Sequence, residues 1–245
     1  MRIVFSRKGV DSGAGRCVSP VIDGRCLSLP IPAPANLPSG RAYNTLDLPA
    51  PVEDLSRGAL RGTDMCHADP AFANGRATLG QVGAAQTHLD NQAVGPGDVF
   101  LFFGAFGEEL RRAHRIFGFL RVETVRRLGS RPTPEIMVDP DHPHPHSRGD
   151  LAEWPRNNTV YLGEGAGHAP ADDALCLTVP HGNLTEWVVP GWLAGKGMTY
   201  HRNPANWTAP GYLRAAARGQ EFVTDIGDDS EPHRWLDDII ARIRA

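Results

Sequence analysis

A chain of 245 residues with 41% hydrophobic and 22% charged content can bury a sizeable core, in one large domain or two small ones. A formal net charge of −3 excludes a generally basic nucleic-acid binder, and no run reaches the ~18 apolar residues of a membrane span. Cys17, Cys26, Cys66 and Cys176 show no CxxC spacing, and Arg7 and Lys8 interrupt the apolar N-terminus. Reduced thiols, no leader and a cytoplasmic setting are therefore expected.

Met1–Phe5 predicts a short buried strand. It runs straight into a polar, Gly-rich stretch, "SRKGVDSGAG", which brings Ser6, Arg7, Lys8 and Asp11 together. Arg offers a planar fork and Lys a point charge, so the pair could capture a phosphate or carboxylate. The plainer reading is a solvated strand exit with a turn at Asp11. A P-loop is excluded, since GxxxxGK[ST] is absent.

"SLPIPAPANLPSG" (28–40) predicts an extended edge segment, and residues 50–64 one short helix. The small-residue region 70–87 predicts loop, with a weak helix around Leu79–Ala85. In "THLD", His88 and Asp90 stand at i, i+2, which on a strand or turn places both on one face as an acid–base or metal pair. The alternative is a histidine satisfied by its neighbour. "GPGDVFLFFGAF" and "HRIFGFLRVETV" predict a Gly-Asp turn and two strands, Val99–Phe103 and Ile116–Val125, forming a β-hairpin with an apolar inner face. Seven arginines between Arg111 and Arg131 form either a phosphate-holding face or a solvated one, opposed by the acidic "DIGDDSEPHRWLDDII".

"DPDHPHPHSRGD" carries Asp139, Asp141, His142, His144 and His146 on a backbone that proline keeps extended. With no HExxH and no cysteine at zinc spacing, a substrate-contacting loop through His144 is expected first, a plain surface loop next and a metal site last. "YHRNPANW" supplies Tyr200 and His201, which could stack on a base, while Trp187 and Trp192 are expected to pack inside. "YLRAAARGQEFVTD" predicts a helix stopped at Gly219 and then a strand. There Gln220 could meet a base edge and Glu221 could serve as general base. Behind Ser230 as N-cap, Trp235, Ile239, Ile240 and Ile243 predict a closing amphipathic helix.

The hairpin resembles those of PUA-like barrels, the class of ASCH and EVE domains, which implies a pocket for RNA or a modified base. Taken end to end, the chain resembles the nucleotide modification associated domain 3 family of bacteria and phages. Matching segments include "SRKGVDS" (6–12), "SLPIP" (28–32), "THLD" (87–90), "GDVFLFFGAF" (97–106) and "IFGFLRV" (116–122). They continue with "HPH" (142–144), "NNTVYLG" (157–163), "EWVVPGW" (186–192), "YH" (200–201) and "GQEFVTD" (219–225). The chain departs from the pattern in lacking a second acid after "HLD" and an arginine in "GAFGEEL". If either is catalytic, this member differs in substrate or activity.

The expectation is one α+β domain over residues 1–245, built on a mixed or antiparallel, barrel-like sheet of the PUA-like kind with a C-terminal amphipathic helix. The resemblance implies partners among nucleotides, DNA bases and other DNA-modification enzymes; no membrane is expected, and no cofactor is specified. The leading function is an enzyme acting on a nucleotide or nucleobase. Glu221, His88, Asp90 and His201 are its catalytic candidates, and Ser6, Arg7, Lys8, Asp11, His144, Tyr200 and Gln220 its substrate-binding candidates. A non-catalytic reader of a modified base and a metal-dependent hydrolase are the alternatives, although no metal is assigned.

Overall fold

The computed structural model describes residues 1–33, 41–107, 112–130, 156–217 and 221–245. Its strands in chain order are β1 (Arg2–Arg7), β2 (Val21–Ile22), β3 (Arg25–Cys26), β4 (Ala71–Ala73), β5 (Arg76–Gln81) and β6 (Val99–Phe106). They continue with β7 (Ala113–Arg127), β8 (Thr159–Ala166), β9 (Glu186–Val188), β10 (Tyr212–Arg214) and β11 (Glu221–Asp225). The helices are α1 (Val52–Leu55), α2 (Gly83–Asn91), α3 (Trp192–Lys196) and α4 (Ser230–Arg244).

Seven strands form one mixed sheet in the order β11-β1-β6-β7-β8-β5-β4. Every residue of β6 is buried, as the unbroken apolar run demands of a strand covered on both faces. β6 pairs antiparallel with β7 and parallel with β1, while β1 pairs antiparallel with β11. The Asp98 carboxylate accepts the Arg2 amide at 2.7 Å and the Gly95 amide at 2.9 Å, tying the hairpin's opening turn to the start of β1.

Strand alternation gives the sheet two different faces. On one, Ile3, Phe5, Phe103, Phe119, Phe222 and Trp187 pack against Leu236, Ile239, Ile240 and Ile243 of α4. Each such side chain contributes about 1.5–3 kcal/mol on burial. Asp229 caps α4, accepting the Glu231 amide, and Arg242 and Arg244 sit at its C-terminal end, as the helix dipole favours. On the other face Val4, Phe100, Phe102, Phe117 and Tyr161 pack against Leu89 of α2. A third cluster, of Val10, Leu29, Tyr43, Val52 and Leu60, lies under the loops that follow β1.

Several expectations change. The sheet is not a closed barrel among the described residues, since β11 and β4 stand at its two ends. Leu79–Ala85 straddles the end of β5 and the start of α2 instead of forming one helix. Leu213 and its neighbours form β10, because Leu213 pairs in register with the buried Trp187. The α4 cap is Asp229, one residue before Ser230. All four cysteines are free thiols, and no helix among the described residues is long and apolar enough to cross a membrane.

Candidate active site

β1 and β11 are antiparallel with Ser6 opposite Glu221, so the end of β1 meets the start of β11. Ser6 and Lys8 share one side of β1, with Glu221 beside them. The Lys8 ammonium donates to Glu221 Oε1 at 3.0 Å, and Gln81 Nε2 donates to the same oxygen. Gln81 ends β5, and four strands separate β5 from β11 in the sheet. The sheet therefore curls until side chains, not a backbone ladder, bridge its concave face.

Glu221 is 2% exposed and Ser6 fully buried. Glu221 Oε2 and Ser6 Oγ each lack a hydrogen bond of acceptable geometry among the described residues. Burial pushes the Glu221 carboxyl above the usual carboxylate range, against the pull of the Lys8 charge and of the neighbouring Ser6 and Gln81. A buried carboxyl with one oxygen uncommitted can take a proton from, or give one to, a ligand atom.

Lining the same side, α2 presents Gln86, which donates to Tyr161 Oη and to Asp90 Oδ1, both at 2.9 Å. Asp90 also holds Arg127 at 2.8 Å. Because "THLD" is helical, i, i+2 turns His88 and Asp90 apart instead of onto one face. His88 Nε2 meets Thr199 Oγ1 at 3.1 Å, and its ring lies 4.9 Å from that of Tyr200. Burial lowers the His88 pKa, favouring neutral imidazole. Tyr200 is 56% exposed and held at φ 65°, a left-handed conformation uncommon for a non-glycine residue.

His201 is buried, and both its nitrogens meet backbone. Nε2 accepts the Ala216 amide at 2.8 Å, which leaves the hydrogen on Nδ1 to donate to the Thr199 carbonyl at 2.9 Å. Arg7, adjacent to Lys8 in sequence, leaves β1 on the opposite face. Its guanidinium donates to the carbonyls of Ala217 and Ala216 and lies 5.7 Å from the Phe103 ring centre. The sequence pair is thus divided between the two faces of the sheet. Asp11 closes a turn by accepting the Gly13 and Ala14 amides, as the plainer reading expected.

Gln220, His144 and the rest of the His-Pro run lie outside the described residues. Elsewhere among the described residues no three His, Cys, Asp or Glu side chains gather to hold a metal ion. Gln81, Gln86 and Tyr161 were not singled out from sequence. Tyr161, inside the apolar "TVYLG", carried a signal, whereas Gln81 and Gln86 stand among small residues that mark neither. Several arginines of the 111–131 run are neutralised singly, Arg115 by Asp173, Arg121 by Glu164 and Asp237, and Arg127 by Asp90.

No curated protein and no solved structure matches the chain. The family model described as nucleotide modification associated domain 3 matches residues 2–225, spanning β1 to the last residue of β11 and so every site residue above. The chain belongs to the nucleotide modification associated domain 3 family.

Proposed function

We propose that the chain is an enzyme acting on a nucleotide or nucleobase within a DNA-modification system, with Glu221 as its proton-transfer group. The observation that carries this reading is the Glu221 carboxyl itself: buried beside an ammonium, raised in pKa, and with no well-formed hydrogen bond to Oε2 among the described residues, Ser6 being its neighbour. Lys8 and Gln81 fix Oε1, so Oε2 is the oxygen that can exchange a proton with substrate. His88 is the second candidate. Thr199 Oγ1 already accepts the Val223 amide at 2.8 Å and can turn its own hydrogen toward Nε2. His201, with both nitrogens on backbone, serves in this reading to position the Thr199–Ala216 segment.

General acid–base groups typically contribute ~10²–10⁴-fold to a rate. Glu221→Gln in cells carrying the intact modification system should therefore lower the modified nucleoside by about that factor, read by mass spectrometry, with the protein still folded. A profile equal to wild type, where deletion of the chain changes it, sinks the proton-transfer role.

A second reading is supported by the exposed Tyr200 ring beside His88, a platform on which an extruded base could stack without chemistry. Deletion that leaves the nucleoside profile unchanged, with binding to modified DNA lost in Tyr200→Ala, would favour that reader.

A further inference from the structure

We propose a second site: a cleft that holds the phosphates of a small phosphorylated ligand, a nucleotide in class, between Arg16 and Arg57. The cleft encloses about 650 Å³ and shares no lining residue with the Glu221 cluster. Its volume lies within the ~300–1,000 Å³ of small-molecule sites.

Charge identifies the ligand. Arg16, Arg57 and Arg112 all line the cleft, and among the described lining residues there is no carboxylate. Arg16 and Arg57 have neither an ion pair nor a side-chain hydrogen bond among the described residues. Arg61, Arg126, Arg202 and Arg214 share that lack among the described residues, so the place of Arg16 and Arg57 together in one cleft is what marks them, whereas Arg115, Arg121, Arg127, Arg242 and Arg244 each have an acid. A guanidinium fork matches phosphate geometry through paired N–H donors. Ser12 adds a hydroxyl, and Cys17 stays a neutral thiol because burial raises its pKa, so it does not repel an anion.

The backbone beneath both arginines is fixed in advance. The loop carrying Arg16 is held by the Asp11 turn and by Val10, whose side chain would stand 2.7 Å from a Cβ placed on Gly15. Arg57 follows α1, where Ser56 Oγ accepts the Leu60 amide at 3.0 Å. Val10, Val52 and Leu60 belong to one buried cluster, so the two arms stand on a common base. Arg16 and Arg57 also both take left-handed backbone, at φ 57° and 55°. Such conformations cost a non-glycine residue energy that the surrounding structure must supply. With the backbone already set, only the two side chains need to be ordered when an anion arrives.

The phosphate part of this proposal rests on the arginines alone; the nucleoside part rests on the proposed function. Calorimetric titration of the full chain with sodium tripolyphosphate, deoxyadenosine triphosphate, deoxyadenosine and a twelve-nucleotide single strand separates the two. Tripolyphosphate and the triphosphate should bind and deoxyadenosine should not, with affinity falling as salt rises. Arg16→Gln and Arg57→Gln should each weaken binding about tenfold with unchanged thermal melts, and Arg57→Lys should recover part of the loss. Glu221→Gln should leave this binding unaltered. Failure of both phosphate probes to bind, or equal binding by the double glutamine variant, overturns the site. Binding of tripolyphosphate alone overturns the nucleotide class, and binding of the single strand alone overturns the small-molecule reading. If binding follows the arginines while Glu221→Gln leaves the cellular nucleosides unchanged, the phosphate site stands and the proton-transfer reading falls.

Discussion

The two faces of the sheet are built from the same strands and put to different ends. Facing α4, the buried polar group at the centre is His114, a neutral imidazole whose Nδ1 accepts the Trp187 indole N–H at 3.1 Å. Facing α2, the polar groups are Ser6, Lys8, Gln81 and Glu221, with a buried ion pair, and Ser6 Oγ and Glu221 Oε2 lie close together without a well-formed hydrogen bond among the described residues. Packing of apolar groups yields stability that does not depend on pH, and on this face the exception is the His114 imidazole, which lies near the Arg7 charge. A buried ion pair gives little net stability. The aromatic core and the Lys8–Glu221 pair lie on opposite sides of one strand, and the step from Arg7 to Lys8 marks the divide.

Truncating a core aromatic on the α4 face gives the largest expected effect. Phe103→Ala should cost about 3–5 kcal/mol at any pH between 7 and 8, above the range in which His114 titrates, measured by urea unfolding. A strong pH dependence of that loss would break the contrast between the faces.

Lys8→Met on the other face should cost about 3 kcal/mol at pH 8, because it strips a buried carboxylate of its countercharge. The loss should shrink as pH falls through the raised value of the Glu221 carboxyl. In the wild type the raised Glu221 pKa contributes stability below the ordinary carboxylate value, and this is lost as pH rises through the raised one. Glu221→Gln should abolish that decline, and a decline that persists would place its origin elsewhere.

His114 gives the opposite slope. Its pKa is pushed down to about 4, chiefly by burial and next by the Arg7 charge. Its contribution is complete above the ordinary histidine value and is lost as pH falls from 6.5 toward 4. That shift corresponds to on the order of 3 kcal/mol. The stability difference between wild type and His114→Gln should therefore change sharply across that window; a flat difference would refute the assignment. The smallest effect is expected at the exposed Tyr200, where Ala should change stability by about 0.5 kcal/mol or less. A larger loss would make Tyr200 a structural residue.

Much of the frame was legible in the sequence, because burial on both faces leaves an unmistakable apolar run. The β6–β7 hairpin, β1 and α4 follow directly from such patterns. β5 and α2 did not, since Gly80 and a string of small residues hide both the strand and the helix that follows it. β10 escaped because "LRAAA" favours helix locally, while pairing with Trp187 decides otherwise. Within the site, Glu221 and Lys8 were found but not their pairing, which depends on strands meeting from opposite ends of the chain. The division of Arg7 from Lys8 follows from strand alternation, once β1 is known to run to Arg7. The roles of Gln81 and His201 depend on the curl of the sheet and on backbone groups, which carry no side-chain signature.

The contact between Lys8 and Glu221 spans 213 positions of chain. At the roughly 5–20 residues per second of protein synthesis, the lysine leaves the peptidyl transferase roughly 10–40 seconds before its partner is made. Throughout that interval its ammonium must remain in water. The strand that carries it can first pair with β6 and only later with β11, so the Lys8–Glu221 pair closes only after β11 has been made. A nascent chain halted before residue 221 would hold most of the sheet and none of the acid.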